Sequence, residues 1–273
     1  MKKFEGMLFC TDLDGTLYAN DKTVSKENMD AISYFKAEGG LFTFITGRVA
    51  ETSMEICRTV MPNAPFGCIN GGGIYDPCKN QYLWYDTLPG GFLELVRAVD
   101  ASLPEIAIQF DTEQGIYFYK DNSAMQYFRH VTGVENRQCS CEGMGIPTMK
   151  IVFAHDDPEQ IEALAHLLQN HPLADRFDFI RSEQRLYEIL PKNTSKGSVL
   201  VKLAKLLNVP IERTIAVGDY NNDVAMLKRA GLSFAVSNAV AEAKAVAKHI
   251  TVSNNEHAIA AIVDGLDRGI YQI

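Results

Sequence analysis

The sequence predicts an α/β protein: a doubly wound parallel sheet interrupted by an inserted α+β segment. Three observations carry this. Short apolar strands alternate with helical stretches at both ends of the chain, paired strands run through the middle, and polar residues collect where the outer strands stop. Strands buried on both faces read as continuous apolar runs, and helices between them imply parallel pairing with right-handed crossovers.

At the N-terminal end, Met7–Thr11 is an apolar strand that gives way to Asp12–Thr16. Ser25 suits a helix N-cap, with Ile32 and Phe35 on one face and Gly39-Gly40 as the stop near Glu38. Leu41–Ile45 is a second strand, ending at Thr46-Gly47-Arg48, and a helix to about Met61 follows, stopped by Pro62. Phe66–Ile69 reads as a third strand of the same set, ending at Asn70-Gly71-Gly72-Gly73. The last third repeats the pattern, with a helix from Ser195 through Leu207, a strand at Thr214–Val217 and a loop at Gly218–Asp223. A helix at Val224–Ala230, a strand at Leu232–Val236 and an Ala-rich helix at Val240–Lys248 complete it. In the middle, Ile106–Phe110 with Gly115–Tyr119, Thr148–Ala154, and Phe177–Arg181 with Leu186–Leu190 read as strands, and Pro158–Leu168 as a helix. An α+β pattern inside an α/β frame defines an insert, placed at residues 84–187, between core segments 1–83 and 188–273.

Composition narrows the function. Hydrophobic residues make up 47% of 273, enough to fill a core. The net charge of −8, without a Lys/Arg cluster, disfavours nucleic acid as a partner. No apolar run reaches membrane-spanning length and no signal peptide leads the chain, so a cytoplasmic location is expected. Cys10, Cys57, Cys68, Cys78, Cys139 and Cys141 have no disulfide or zinc spacing and read as thiols of a reducing compartment. The six histidines lack metal-ligand spacing; His155, His166 and His171 read as surface residues of the insert. The glycines at 71–73 do not form a dinucleotide fingerprint.

The chemistry lies in polar clusters beyond the strand ends, where open parallel sheets bind ligands. In Asp12-Leu13-Asp14-Gly15-Thr16, one ionised carboxylate can act as nucleophile, while the second, its pKa raised by the first charge, exchanges protons. Taken alone, the same pentapeptide suits a solvated turn. In Gly218-Asp219-Tyr220-Asn221-Asn222-Asp223, oxygen donors suit a hard cation such as Mg²⁺, and the run equally suits a helix cap. Thr46 offers a hydroxyl and Lys196 a point charge for a phosphate; singly, neither is specific.

Together these residues resemble the haloacid dehalogenase (HAD) superfamily, whose core is Rossmann-like, in its phosphatase form. Asp12–Thr16 resembles the DxDGT signature, Thr46-Gly47-Arg48 the second motif, Lys196-Gly197 the third, and Gly218-Asp219 with Asn222-Asp223 the fourth, GDxxND. The likeness extends to Asn70-Gly71 and to Asn238-Ala239 with Lys244. An insert between the second and third motifs resembles the α+β cap of the Cof-type (type IIB) branch. Two runs depart from that branch: Asn255-Glu256-His257-Ala258-Ile259 stands in place of a Glu-Asp-Gly-Val-type run, and Gly71-Gly72-Gly73 in place of Asn-Gly-Ala. Both bear on substrate identity rather than on the catalytic motifs.

The resemblance implies a Mg²⁺-dependent phosphatase acting on a small phosphorylated metabolite, of sugar phosphate or pyridoxal phosphate type, through an aspartyl phosphate. Asp12 is then the nucleophile and Asp14 the acid/base. Asp12, the Asp14 carbonyl and Asp219 hold the metal, with Asp223 orienting its waters. Thr46, Gly47, Lys196 and Asn222, with backbone N–H groups near Leu13 and Asp14, hold the phosphoryl oxygens. Arg48 either contacts substrate or closes a salt bridge at the hinge of the insert, and Asn70 either lines the pocket or turns the chain. Alternatives are a phosphomutase on the same scaffold, a receiver-type phospho-switch, or a phospho-accepting binding protein with little turnover. Partners are limited to the small phosphate substrate, with no nucleic acid and no membrane, in a monomer or weak homo-oligomer.

Overall fold

The computed structural model describes residues 2–140 and 145–272. In chain order the elements are β1 (Leu8–Thr11), α1 (Lys26–Ala37), β2 (Leu41–Phe44), α2 (Ala50–Val60), β3 (Phe66–Cys68), β4 (Gly73–Asp76) and β5 (Gln81–Tyr85). There follow α3 (Phe92–Ser102), β6 (Ala107–Thr112), β7 (Gly115–Lys120), α4 (Ser123–Thr132), β8 (Thr148–Ala154), α5 (Pro158–Gln169), β9 (Phe177–Glu183) and β10 (Leu186–Pro191). The chain closes with α6 (Lys196–Leu206), β11 (Thr214–Gly218), α7 (Val224–Arg229), β12 (Leu232–Ala235), α8 (Ala241–Val246), β13 (His249–Ile250) and α9 (Ala258–Asp267). Two compact units result: Met1–Arg48 with Ser53–Trp84 and Ser195–Ile273, and Val49–Thr52 with Tyr85–Thr194.

The first unit is built on a parallel sheet in the order β13-β12-β11-β1-β2. Its central strands, Leu8–Thr11 and Thr214–Gly218, are buried throughout, which explains their unbroken apolar sequence. From β1 the chain moves outward to β2, and from β11 it moves the other way, so right-handed crossovers put α1 and α7 on opposite faces. α9 packs on α1 and α6 on α7. Phe35 of α1 stacks on Phe4 with ring centroids 4.7 Å apart and meets Phe9 of β1 edge-on at 5.6 Å. The strand order reverses between β1 and β11, and their C-terminal ends run directly into Asp12 and Asp219.

Two local expectations are corrected. β3 does not extend the parallel sheet. It pairs antiparallel with β4, joins the end of β2 through a single bridge, Ile45 to Gly67, and lies in the separate sheet β3-β4-β5. A turn makes that meander possible: Asp76 Oδ1 accepts hydrogen bonds from the amides of Cys78 (3.0 Å) and Lys79 (3.2 Å). The Ala-rich helix is confined to Ala241–Val246, because His249 and Ile250 pair with Phe234 and Ala235 as an edge strand.

The second unit is an antiparallel sheet, β7-β6-β8-β10-β9. α3 and α5 lay Leu95, Val99, Ile161 and Leu164 against Ile108, Phe110, Ile151 and Phe153 in one core. The alternate residues of the same strands are polar and buried: Lys150 lies between Asp111 (3.4 Å) and Glu188 (3.2 Å). This unit runs to Thr194, beyond the expected return at residue 187, because β10 stays paired with β9 as far as Pro191 and Phe177. The Thr194 amide then donates to Asp178 Oδ2 at 3.1 Å. Among the described residues no helix is long and apolar enough to cross a membrane. Cys10, Cys57 and Cys78 are free thiols, whereas Cys141 lies outside the described residues.

Candidate active site

Just past β1 the backbone makes one tight turn, Leu13–Leu17, closed by the Tyr18 amide donating to Leu13 O at 2.9 Å. Gly15 adopts φ +76° there, and a Cβ at this position would lie 2.5 Å from Asp219 Oδ2. Only glycine permits the two acidic loops this approach. The outcome is a carboxylate group: ligand oxygens of Asp12, Asp219 and Asp223 all lie within 4.8 Å of one another.

Lys196, the first residue of α6, is fully buried, and its ammonium bridges Asp12 Oδ1 (2.6 Å) and Asp223 Oδ1 (2.7 Å). The two carboxylates hold it charged against the burial that opposes charge. Asp223 is spent on structure: its Oδ2 accepts the amides of Asp219 (2.9 Å) and Tyr220 (3.1 Å), which folds the 218–223 loop back on itself. Asp219 Oδ1 accepts from Thr16 Oγ1 at 2.8 Å. Three carboxylates thus face a single ammonium. Burial, then Asp223, pushes the Asp219 carboxyl up to about 7. Burial likewise raises Asp12 well above the usual carboxylate range, helped by Asp223 and Asp219. The group lacks positive charge, and its donors are all hard oxygens, so a divalent cation such as Mg²⁺ fits it.

Asp14 departs from the expectation that its neighbour's charge raises its pKa. Burial does act upward, but Arg48 and Lys22 outweigh it and hold Asp14 below the ordinary value. Arg48 donates from Nε to Oδ2 (2.9 Å) and from Nη2 to Oδ1 (2.8 Å), and Lys22 Nζ donates to Oδ1 (2.9 Å). Arg48 therefore makes its salt bridge with Asp14, while its guanidinium lies 5.5 Å from the Tyr18 ring centre. Lys22 carried no sequence signal, because it sits in a polar turn without motif spacing.

Thr46, buried at the end of β2, accepts the Arg48 amide at Oγ1 (3.2 Å), and its carbonyl accepts the Asn70 amide (3.1 Å). Asn70 sits at φ +51° and accepts from Asn222 Nδ2 at 3.0 Å. A Cβ on Gly47 would come 3.0 Å from Asn70 Oδ1, so the second-motif loop also lies against this pair. Asn222 Oδ1 is buried without a hydrogen-bond partner. The loops after β1, β2, β3 and β11 thus meet through Asp12–Asp219, Thr46–Asn70 and Asn70–Asn222.

Fold and site together describe an α/β protein with grouped carboxylates just beyond the ends of its parallel strands. The chain belongs to the haloacid dehalogenase-like hydrolase family, whose profile matches residues 9–263. It is 27% identical over 257 residues to a 5-amino-6-(5-phospho-D-ribitylamino)uracil phosphatase of Bacillus subtilis, covering 93% of this chain and 94% of the relative. It is also 27% identical over 288 residues to the B. subtilis phosphatase YwpJ, covering 95% and 99%. The solved structure of a HAD subclass IIB sugar phosphatase superposes with a TM-score of 0.82 at 19% identity, covering 97% of this chain and all of that one, a likeness of fold.

Proposed function

We propose that this chain is a phosphatase that hydrolyses a small phosphomonoester, of sugar phosphate or pyridoxal phosphate type, through an aspartyl phosphate on Asp12. The observation that carries the reading is the buried Asp12–Lys196–Asp223 arrangement beside Asp219, with Asp14 two residues beyond Asp12. The relatives support the substrate class, since one is named for a ribitylamino phosphate and a fold neighbour for sugars.

In this reading an Asp12 oxygen bonds to phosphorus as the ester P–O bond breaks, and Asp14 delivers a proton to the leaving alkoxide. Asp14 sheds its ion pairs with Arg48 and Lys22 before it carries that proton. It then takes a proton from the water that attacks phosphorus and frees Asp12. Lys196 keeps the Asp12 oxygen in place, and Thr46, Gly47, Asn222 and amides of the Leu13–Leu17 turn receive the phosphoryl oxygens. Asp12, the Asp14 carbonyl and Asp219 would hold Mg²⁺, with Asp223 fixing their loop. When bound, the cation offsets the repulsion between these carboxylates and the phosphate dianion. The second unit selects the leaving group, because the phosphate contacts are common to every substrate.

Phosphate release from a panel of sugar phosphates and pyridoxal phosphate, using dialysed protein, tests this. No release is expected in EDTA, restoration with Mg²⁺, and none with Ca²⁺, whose looser coordination suits the site poorly. Undiminished release in EDTA contradicts the metal, and a panel without release contradicts the hydrolytic reading.

A further inference from the structure

At the Leu13–Leu17 turn, which carries Asp14, two carbonyls are held by other segments: Gly15 O within it and Tyr18 O just after it. Two side-chain amides from distant segments hold them. Asn238, in the loop after β12, donates from Nδ2 to Gly15 O at 2.9 Å. Asn254, buried in the turn before α9, donates from Nδ2 to Tyr18 O and to Asn20 Oδ1, both at 3.0 Å. The two asparagines are also joined: the Asn254 amide donates to Asn238 Oδ1 at 3.0 Å. Asn255 adds a fifth hydrogen bond, accepting the Asn20 amide at its Oδ1 at 3.0 Å.

These ties lead toward the carboxylate. The Gly15 and Tyr18 carbonyls both belong to the backbone that follows Asp14, so these ties act on Asp14 through the turn itself. Gly15 is the residue next to Asp14, and its carbonyl is the nearer of the two anchors. A backbone tied at Gly15 and again at Tyr18 leaves the Asp14 side chain a narrower range of positions, and general acid catalysis depends steeply on such placement.

We infer that Asn254, assisted by Asn238, is a positioning residue that fixes Asp14 for proton transfer, an inference that rests on the phosphatase reading above. A positioning role for the general acid leaves a signature that a loss of fold does not. An alkyl phosphate has a poor leaving group that needs the proton, whereas p-nitrophenolate leaves without it. A change in the ratio of kcat/KM for an alkyl phosphate to that for p-nitrophenyl phosphate therefore reports on proton delivery by Asp14.

The test measures this ratio for wild type, Asn254→Ala, the isosteric Asn254→Asp and the milder Asn238→Ala, with thermal melts alongside. Both Asn254 variants remove the donor to Tyr18 O and should lower the ratio roughly tenfold or more, with kcat/KM for p-nitrophenyl phosphate within about threefold of wild type. Asn238→Ala should lower the ratio less. In an Asp14→Asn background, Asn254→Ala should lower it no further, because the group it positions is gone. Equal losses on both substrates, an unchanged ratio, or a full additional loss in the Asp14→Asn background overturns the inference. Should neither Asn254 variant fold, Asn238→Ala decides alone, and an unchanged ratio there overturns it. Absence of phosphate release from wild type is a different failure, that of the phosphatase reading.

Discussion

Asp12 and Asp14 stand two residues apart and meet opposite surroundings. Asp12 is buried among carboxylates and pushed up, whereas Asp14 is gripped by Arg48 and Lys22 and pushed down. The identities of the grouped acids were legible in the sequence, because Asp12, Asp219 and Asp223 fall just beyond apolar strands. The direction of the Asp14 shift was not, because its two cations arrive from positions without motif spacing. His257 is a second residue whose role appears only in three dimensions. It holds φ +64° at the start of α9, a left-handed conformation that suits glycine. His257→Gly should therefore raise unfolding stability by about 0.5–1 kcal/mol, the relief of left-handed strain exceeding glycine's extra chain entropy. Urea denaturation measures it, and a lower midpoint in the variant would contradict the strain.

At the scale of elements, the helix that delivers Lys196 is fixed by its first turn. Ser195 Oγ accepts the Ser198 amide at 3.1 Å, and Ser198 Oγ accepts the Ser195 amide at 3.1 Å, a reciprocal cap. Ser195→Ala should lower stability by about 1 kcal/mol, read as a reduced urea midpoint, and an unchanged midpoint would show that the cap contributes nothing. The serine was legible as a helix start, as were the strands β1, β2, β11 and β12, whose apolar runs admit one reading. β3 was not legible as a meander strand, since a three-residue buried strand looks the same in a parallel or an antiparallel setting. α8 was over-read, because alanine propensity is a weak preference and edge pairing of His249–Ile250 with β12 overrides it. α9 escaped notice because its N-terminus begins at His257, without a side-chain cap.

At the scale of the whole chain, a net charge of −8 and a buried carboxylate group make an anionic substrate depend on added positive charge. The proposal divides the labour: the first unit handles the phosphoryl group and the second ranks leaving groups. Replacing residues 85–194 with a Gly/Ser linker should leave a folded core, by circular dichroism, that still cleaves p-nitrophenyl phosphate but no longer ranks metabolite phosphates as the full chain does. An unaltered ranking would move specificity to core loops such as Asn255–His257. The covalent step on Asp12 is tested most directly by acid quench of protein mixed with substrate, followed by peptide mass spectrometry of the segment containing Asp12. With p-nitrophenyl phosphate, whose leaving group needs no proton, the expected result is a phosphoryl group on Asp12 that accumulates in Asp14→Asn, where attack by water is slowed, and no phosphate release by Asp12→Asn. Phosphate release by Asp12→Asn, or full turnover with Asp12 unmodified at every quench time, would contradict it.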